Sequence, residues 1–219
     1  MHDSLNWYDI TRSAVTALAI LTALLHIRSA SRGPRWQRHV FKTMTMIWIL
    51  VIAASATGQV SSYYKAMIIG GLCFSLLGDL LLLYPQQSFV HALTSFLVAH
   101  LFYIAAFAPA AIEGMTFTGV LVFLVLGSII YIVLRSELGT VKGPVTLYII
   151  VLMMMGIAAL SRWAGTGEAG SGFAFAGALL FILSDFLLGF DRFKKRFMGA
   201  QIIVLGTYYA AQMLIAFSV

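Results

Sequence analysis

Charge is what this chain has least of. Of its 219 residues only 10% are Asp, Glu, Lys or Arg, whereas 61% are hydrophobic and the mean hydropathy is +0.94. A soluble domain carries about 25% charged residues, so there is no surface here to face water, and no room for a separate soluble domain, a nucleic-acid module or a dinucleotide-binding fold. Cysteine occurs once, as Cys73, which excludes an internal disulfide and a cysteine-based metal site. The four prolines, Pro34, Pro85, Pro109 and Pro144, interrupt none of the apolar runs. A cleaved leader is not expected. The first ten residues hold Asp3 and Asp9 and neither Lys nor Arg, so the apolar stretch after Arg12 reads as a retained first helix.

What is present is a series of apolar runs bounded by charge, Pro or Gly, at 11–27, 43–60, 66–84, 88–109, 116–134, 144–160, 172–190 and 199–218. At about 20 residues per crossing they predict an all-α polytopic membrane bundle of eight transmembrane helices. A single domain covers 1–219, and each span is an unbroken helix that satisfies its own backbone in lipid. The net charge of +6 then reads as topogenic and not as a nucleic-acid footprint. Arg28, Arg32, Arg35, Arg38 and Lys42 fall in the first loop, Arg135 and Lys142 in the fifth, and Arg192, Lys194, Lys195 and Arg196 in the seventh. Eleven of the 14 basic residues thus share one side, against Arg12, Lys65 and Arg162 on the other. The basic side is expected to be cytoplasmic, in the cell (inner) membrane, with both termini outside.

Six of the eight acidic residues lie at the N-terminus or in loops; Asp79 and Asp185 lie within apolar runs. An Asp at a helix centre costs roughly 2.5–3.5 kcal/mol on insertion scales and marks a functional site by default. No Lys or Arg lies in a span at matching depth, so an ion pair is not expected. The surroundings of the two acids are related. Gly71 to Leu82, which contains Phe74-Ser75-Leu76-Leu77-Gly78-Asp79, aligns with Gly177 to Leu188, which contains Ser184-Asp185, at a constant offset of 106. The same offset sets Tyr103 on Tyr209 and Ala105 on Ala211. Two parallel four-helix pseudo-repeats follow, with helix 3 matching helix 7 and helix 4 matching helix 8. Both carboxyls should lie at one depth, roughly 8 Å from the cytoplasmic helix ends, and face each other if helices 3 and 7 pack together. Two carboxyls in a dry pocket do not both ionise near neutral pH, so an acid and a base stand side by side. Such a pair suits hydrolysis, in which one group donates a proton and the other activates water, and equally suits proton-coupled transport.

Other polar residues gather near that level. Ser75 is one turn before Asp79, and Ser184 adjoins Asp185. Either can bond a carboxyl or a head group, or back-bond to its own helix. Helix 4 carries His91, His100 and Tyr103; helix 8 carries Tyr208, Tyr209 and Gln212, too deep for an interfacial aromatic belt. The histidines form no metal-ligand spacing with the acids, so no metal is expected.

These stretches resemble the YhhN-like lysoplasmalogenase family. The resemblance rests on Gly71 to Asp79, Phe89-Val90-His91 through His100 and Tyr103 to Phe107, Gly177 to Asp185, and Thr207-Tyr208-Tyr209-Ala210-Ala211-Gln212-Met213. Lys42, opening helix 2, also looks like a family position, whereas Thr45 stands where relatives often have Pro. The resemblance implies an eight-helix integral membrane hydrolase that cleaves the sn-1 vinyl ether of lysoplasmalogens to a fatty aldehyde and a glycerophosphoethanolamine or glycerophosphocholine. The pair read from the residues suits this chemistry, so Asp79 and Asp185 are the expected catalytic residues, with no metal or organic cofactor needed. The partners implied are a lysophospholipid substrate and bilayer lipid. Ser75, His91, His100, Tyr103, Ser184, Tyr208, Tyr209 and Gln212 would bind and orient substrate, and Lys42 would meet its phosphate. A proton-coupled transporter of lipid or small molecules, using the same two carboxylates, is the competing reading. An intramembrane aspartyl protease ranks below it, since neither Gly-x-Gly-Asp nor Pro-Ala-Leu is present.

Overall fold

The computed structural model describes residues 7–57 and 60–219. Eight long helices account for most of them: α1 (Trp7–Arg32), α2 (Arg35–Ser55), α3 (Ser62–Leu81), α4 (Pro85–Phe107), α5 (Phe117–Leu134), α6 (Lys142–Thr166), α7 (Ala169–Gly189) and α8 (Ala200–Phe217). Asp3, read above as an N-terminal acid, lies outside the described residues, as do 58 and 59, which the second predicted span included.

Local chemistry explains the ends. Pro34 precedes α2 and Pro85 is the first residue of α4. Pro109 sits in the short 3₁₀ turn after α4, and Pro144 in the first turn of α6. At these positions a helix has no partner for the missing N–H. The Ser61 and Thr116 hydroxyls accept the N–H groups of Tyr64 and Gly119, both at 3.1 Å, and so cap α3 and α5. Gly167, at φ +64°, ends α6 in the left-handed region that favours glycine.

Seven of the eight helices are long and apolar enough to cross a membrane. The exception is α2. It begins at Arg35 and not near 43, because Pro34 starts it directly after Gly33, so its first two turns carry Arg35, Gln37, Arg38, His39 and Lys42. The predicted basic first loop shrinks to Gly33 and Pro34. A second difference concerns α7, which runs on through a π-helical turn, Phe190–Lys194, that carries Asp191 and Arg192. The third is that α3 stops at Leu81, so Asp79 sits in its last turn, nearer the helix end than expected.

The packing repeats with the sequence offset. The helices α2, α3, α4, α6, α7 and α8 each pack on the next, and α8 returns to α2. In this ring of six, α3 lies along α4 as α7 lies along α8, and α2 meets α3 as α6 meets α7. The outer helices are α1, against α2 and α8, and α5, against α6 and the π turn. The two glycines of the repeat each open a close approach. A β-carbon on Gly71 would strike the Tyr103 ring, and one on Gly177 would lie 2.8 Å from Ile215 Cγ1 and 2.9 Å from the Ala211 carbonyl oxygen. A backbone atom cannot swing aside. Gly177→Ala should therefore cost about 1–3 kcal/mol by overpacking and lower the melting temperature in detergent. Gly143→Ala, which meets open space in α6, should not lower it.

Candidate active site

Two polar clusters face one open cavity. In the first, α2 delivers Lys42, α3 Asp79 and α8 Tyr208. Lys42 Nζ lies 2.9 Å from Asp79 Oδ1, and the Tyr208 hydroxyl donates to Oδ2 at 2.7 Å. Asp79 is only 2% exposed, so both carboxylate oxygens are held by donors in a place that water barely reaches. The absence of an ion pair predicted above is overturned. Hydropathy puts Lys42 in a loop, but it lies in the second turn of α2 and its stem is buried in the bundle.

In the second cluster, α6 delivers Tyr148 and α7 Asp185. The Tyr148 hydroxyl donates to Asp185 Oδ2 at 2.5 Å, and His100 Nε2 on α4 stands 4.0 Å from the same oxygen. His100 is fully buried, its ring edge-on to Phe181 at 4.7 Å and to Tyr148 at 5.2 Å, and neither ring nitrogen has a hydrogen-bond partner. Nothing in the periodicity of helix 6 marks Tyr148. The offset does, because Lys42 and Tyr148 are also 106 residues apart. The structure thus sets equivalent residues of the two halves, a lysine and a tyrosine, on equivalent aspartates.

Asp79 and Asp185 share the cavity although α3 and α7 do not lie along each other. Around them the predicted site residues separate. Lys42, Tyr208 and Ser184 line the cavity, but the Ser184 hydroxyl is spent on the Val204 carbonyl at 3.0 Å, tying α7 to α8. Tyr103 donates to Gln212 Oε1 at 2.8 Å and lies 3.4 Å from the Ser75 hydroxyl, a buried crosslink of α3, α4 and α8 behind the aspartates. Tyr209 turns toward α1, where its hydroxyl is 2.7 Å from His26 Nδ1. His91 is exposed on the outer face of α4 and lines none of the cavities described. It lies nine residues, two and a half turns, from His100 and so on the opposite face of the helix.

A second space, a narrow apolar groove, adjoins the cavity and is walled by Phe96, Ile130, Leu134, Ile149 and Leu152. Asp185 and Arg192 line both spaces. Arg192 lies over the Phe89 ring, 3.7 Å from its centroid, and shares the mouth of the polar cavity with Arg196. An apolar slot and a basic, polar chamber therefore meet at a carboxyl group. That arrangement presents an apolar surface on one side of the carboxyl and basic groups on the other, and offers acid–base chemistry at the junction.

A model of the YhhN family matches residues 37–219, which include all but the first two residues of the ring. The chain is 32% identical over 195 residues to the membrane protein YhhN of Escherichia coli O6:H1, covering 89% of this chain and 93% of that one. It is 32% identical over 195 residues to lysoplasmalogenase TMEM86A of Bos taurus, covering 86% and 80%. It is 35% identical over 160 residues to human lysoplasmalogenase TMEM86B, covering 72% and 65%. No solved structure matches the chain.

Proposed function

The chain belongs to the YhhN family, and from that premise we propose that this hydrolytic membrane enzyme cleaves the sn-1 vinyl ether bond of lysoplasmalogens. The products are a fatty aldehyde and glycerophosphoethanolamine or glycerophosphocholine. Asp79 and Asp185 act as the acid–base pair. Vinyl ether hydrolysis begins with a proton on the alkene carbon, giving an oxocarbenium ion of the kind met in glycoside cleavage; water then adds and the hemiacetal collapses. One carboxyl donates the proton, and the other, as carboxylate, stabilises the cation and activates water. The chemistry calls on neither a metal nor an organic cofactor.

The observation that carries this reading is Asp185 at the meeting of groove and polar cavity. With the alkenyl tail in the groove and the head group in the cavity, the bond between them lies beside that carboxyl. Lys42, expected to meet phosphate, is engaged by Asp79. The head-group phosphate passes instead to Arg192 and Arg196 at the cavity mouth. Substrate comes from the surrounding bilayer, and the basic turns face the cytoplasm of a cell (inner) membrane, with both termini outside.

The test is aldehyde release by purified protein in detergent, where no proton gradient exists, from 1-alkenyl-lysophosphatidylethanolamine beside its 1-acyl analogue and with a chelator present. Aldehyde from the alkenyl lipid, unaffected by chelator, is expected. Fatty acid from the acyl lipid would make the protein a lysophospholipase, and no product from either would favour a proton-coupled transporter. His91→Ala, on the outer face of α4, should leave turnover unchanged in the same assay.

A further inference from the structure

We infer that the two aspartates are unlike in the resting protein, with Asp79 the ionised partner and Asp185 the one that carries the proton, and that the difference is set at a single pair of equivalent positions, Lys42 and Tyr148. Which role each plays in catalysis rests on the hydrolase reading above; the protonation pattern itself does not.

The two carboxyls share one chamber with a single ammonium. The groups facing Asp79 are Lys42 from α2 and Tyr208 from α8. Those facing Asp185 are Tyr148 from α6 and His100 from α4. Asp191, Arg192 and Arg196 belong to the cavity mouth, where both arginines are exposed. One buried ammonium neutralises one buried carboxylate, and it lies 2.9 Å from Asp79. A second carboxylate at Asp185, whose side chain is 13% exposed, would be a largely buried charge whose nearest donor is a neutral phenol, an arrangement that burial disfavours. A protonated Asp185 removes that cost. Its Oδ2 accepts from Tyr148, and Oδ1 carries the hydrogen where groove and cavity meet. Were the equivalent positions both lysine, both acids would be ionised and no proton donor would stand at the junction.

The catalytic cycle then closes without an added reagent. Asp185 gives its proton to the alkene carbon, and the Asp79 carboxylate accepts one from the attacking water as its oxygen bonds the oxocarbenium carbon. On collapse of the hemiacetal, Asp185 takes the hydroxyl proton as the carbonyl forms. Asp79 returns its proton to the departing glyceryl oxygen. Both groups are restored, and water plus vinyl ether has become aldehyde plus alcohol.

Infrared difference spectroscopy in an ester-free alkyl maltoside reads the proton directly. A protonated carboxyl shows a carbonyl stretch that moves on transfer to deuterium oxide, and a carboxylate does not. At neutral pH the unsubstituted protein should show one such band. Asp185→Asn should remove it, and Tyr148→Phe, which deletes one hydrogen bond, should move it to higher frequency. Lys42→Met should add a second band as Asp79 takes up a proton. A band that survives in Asp185→Asn or that ignores Tyr148→Phe overturns the inference, as does a folded Lys42→Met protein with no second band. Asp185→Asn and Tyr148→Phe leave the Lys42–Asp79 pair intact, so they still decide the matter if Lys42→Met does not fold. The expected bands in a protein that releases no aldehyde would sink the hydrolase reading and leave the protonation pattern standing; aldehyde release with a misplaced band would do the reverse.

Discussion

Asp185→Asn lowers aldehyde release by about 10²–10⁴-fold, the usual worth of a positioned acid or base, and leaves the bundle folded. Asn has the shape of Asp and its carbonyl can still accept the Tyr148 hydroxyl, so the contact between α6 and α7 persists. Asp79→Asn should lose activity by a similar factor but behave differently on heating. It strands the Lys42 ammonium, which lies 2.9 Å from the present carboxylate and is 8% exposed. Breaking one side of a buried ion pair costs about 3–5 kcal/mol. Two inactive variants are therefore expected, of which only the Asp79 one melts markedly early in detergent. Retention of most of the turnover by either variant would remove the dyad from the mechanism. Equal melting temperatures would remove the ion pair from the stability of the fold.

The second large effect concerns the tail. Ile130→Trp on α5 puts an indole into the groove beside Leu134 and Ile149. Overfilling a packed apolar space costs about 1–3 kcal/mol, which is roughly five- to 150-fold in an equilibrium constant. That cost should fall on long alkenyl chains and spare short ones. The measurement is the ratio of kcat/KM for a long-chain and a short-chain lysoplasmalogen. The ratio does not depend on how much of the variant folds, so a general loss of stability cannot imitate the result. An unchanged ratio would put the tail elsewhere.

Much of the fold is written plainly in the chain because lipid permits few solutions. Runs such as Phe117–Leu134 and Ala169–Gly189 have to be helices, and the structure makes them so. The repeat was legible for the same reason: Gly71 and Gly177 admit the close approaches of α3 to α4 and of α7 to α8. The start of α2 was misjudged because a polar stretch of Arg, His and Lys looks like a loop when judged by hydropathy, and only the Gly33-Pro34 break says that a helix begins there. That single misplacement concealed the Lys42–Asp79 pair. Tyr148 was invisible to composition, since one phenol in an apolar helix is unremarkable until the offset is extended past helices 3 and 7. His26, the partner of Tyr209, could not be found by spacing at all, because α1 meets α8 only through the closing of the bundle. In physical terms, burial along one helix is encoded locally, whereas the pairing of two polar groups across the bundle depends on which helices become neighbours.

The position of α5 bears on how any of these constants are to be compared. This helix leans on α6 and the π turn, supplies Ile130 and Leu134 to the groove, and turns Val122, Leu124, Val125 and Ile132 outward. One side of the helix thus touches the substrate tail and the other touches whatever solvates the protein. In a bilayer that is annular lipid under lateral pressure; in a micelle it is detergent. Rates measured in two detergents are rates for enzymes with two different outer walls, and chain-length selectivity belongs to the protein together with its solvent shell.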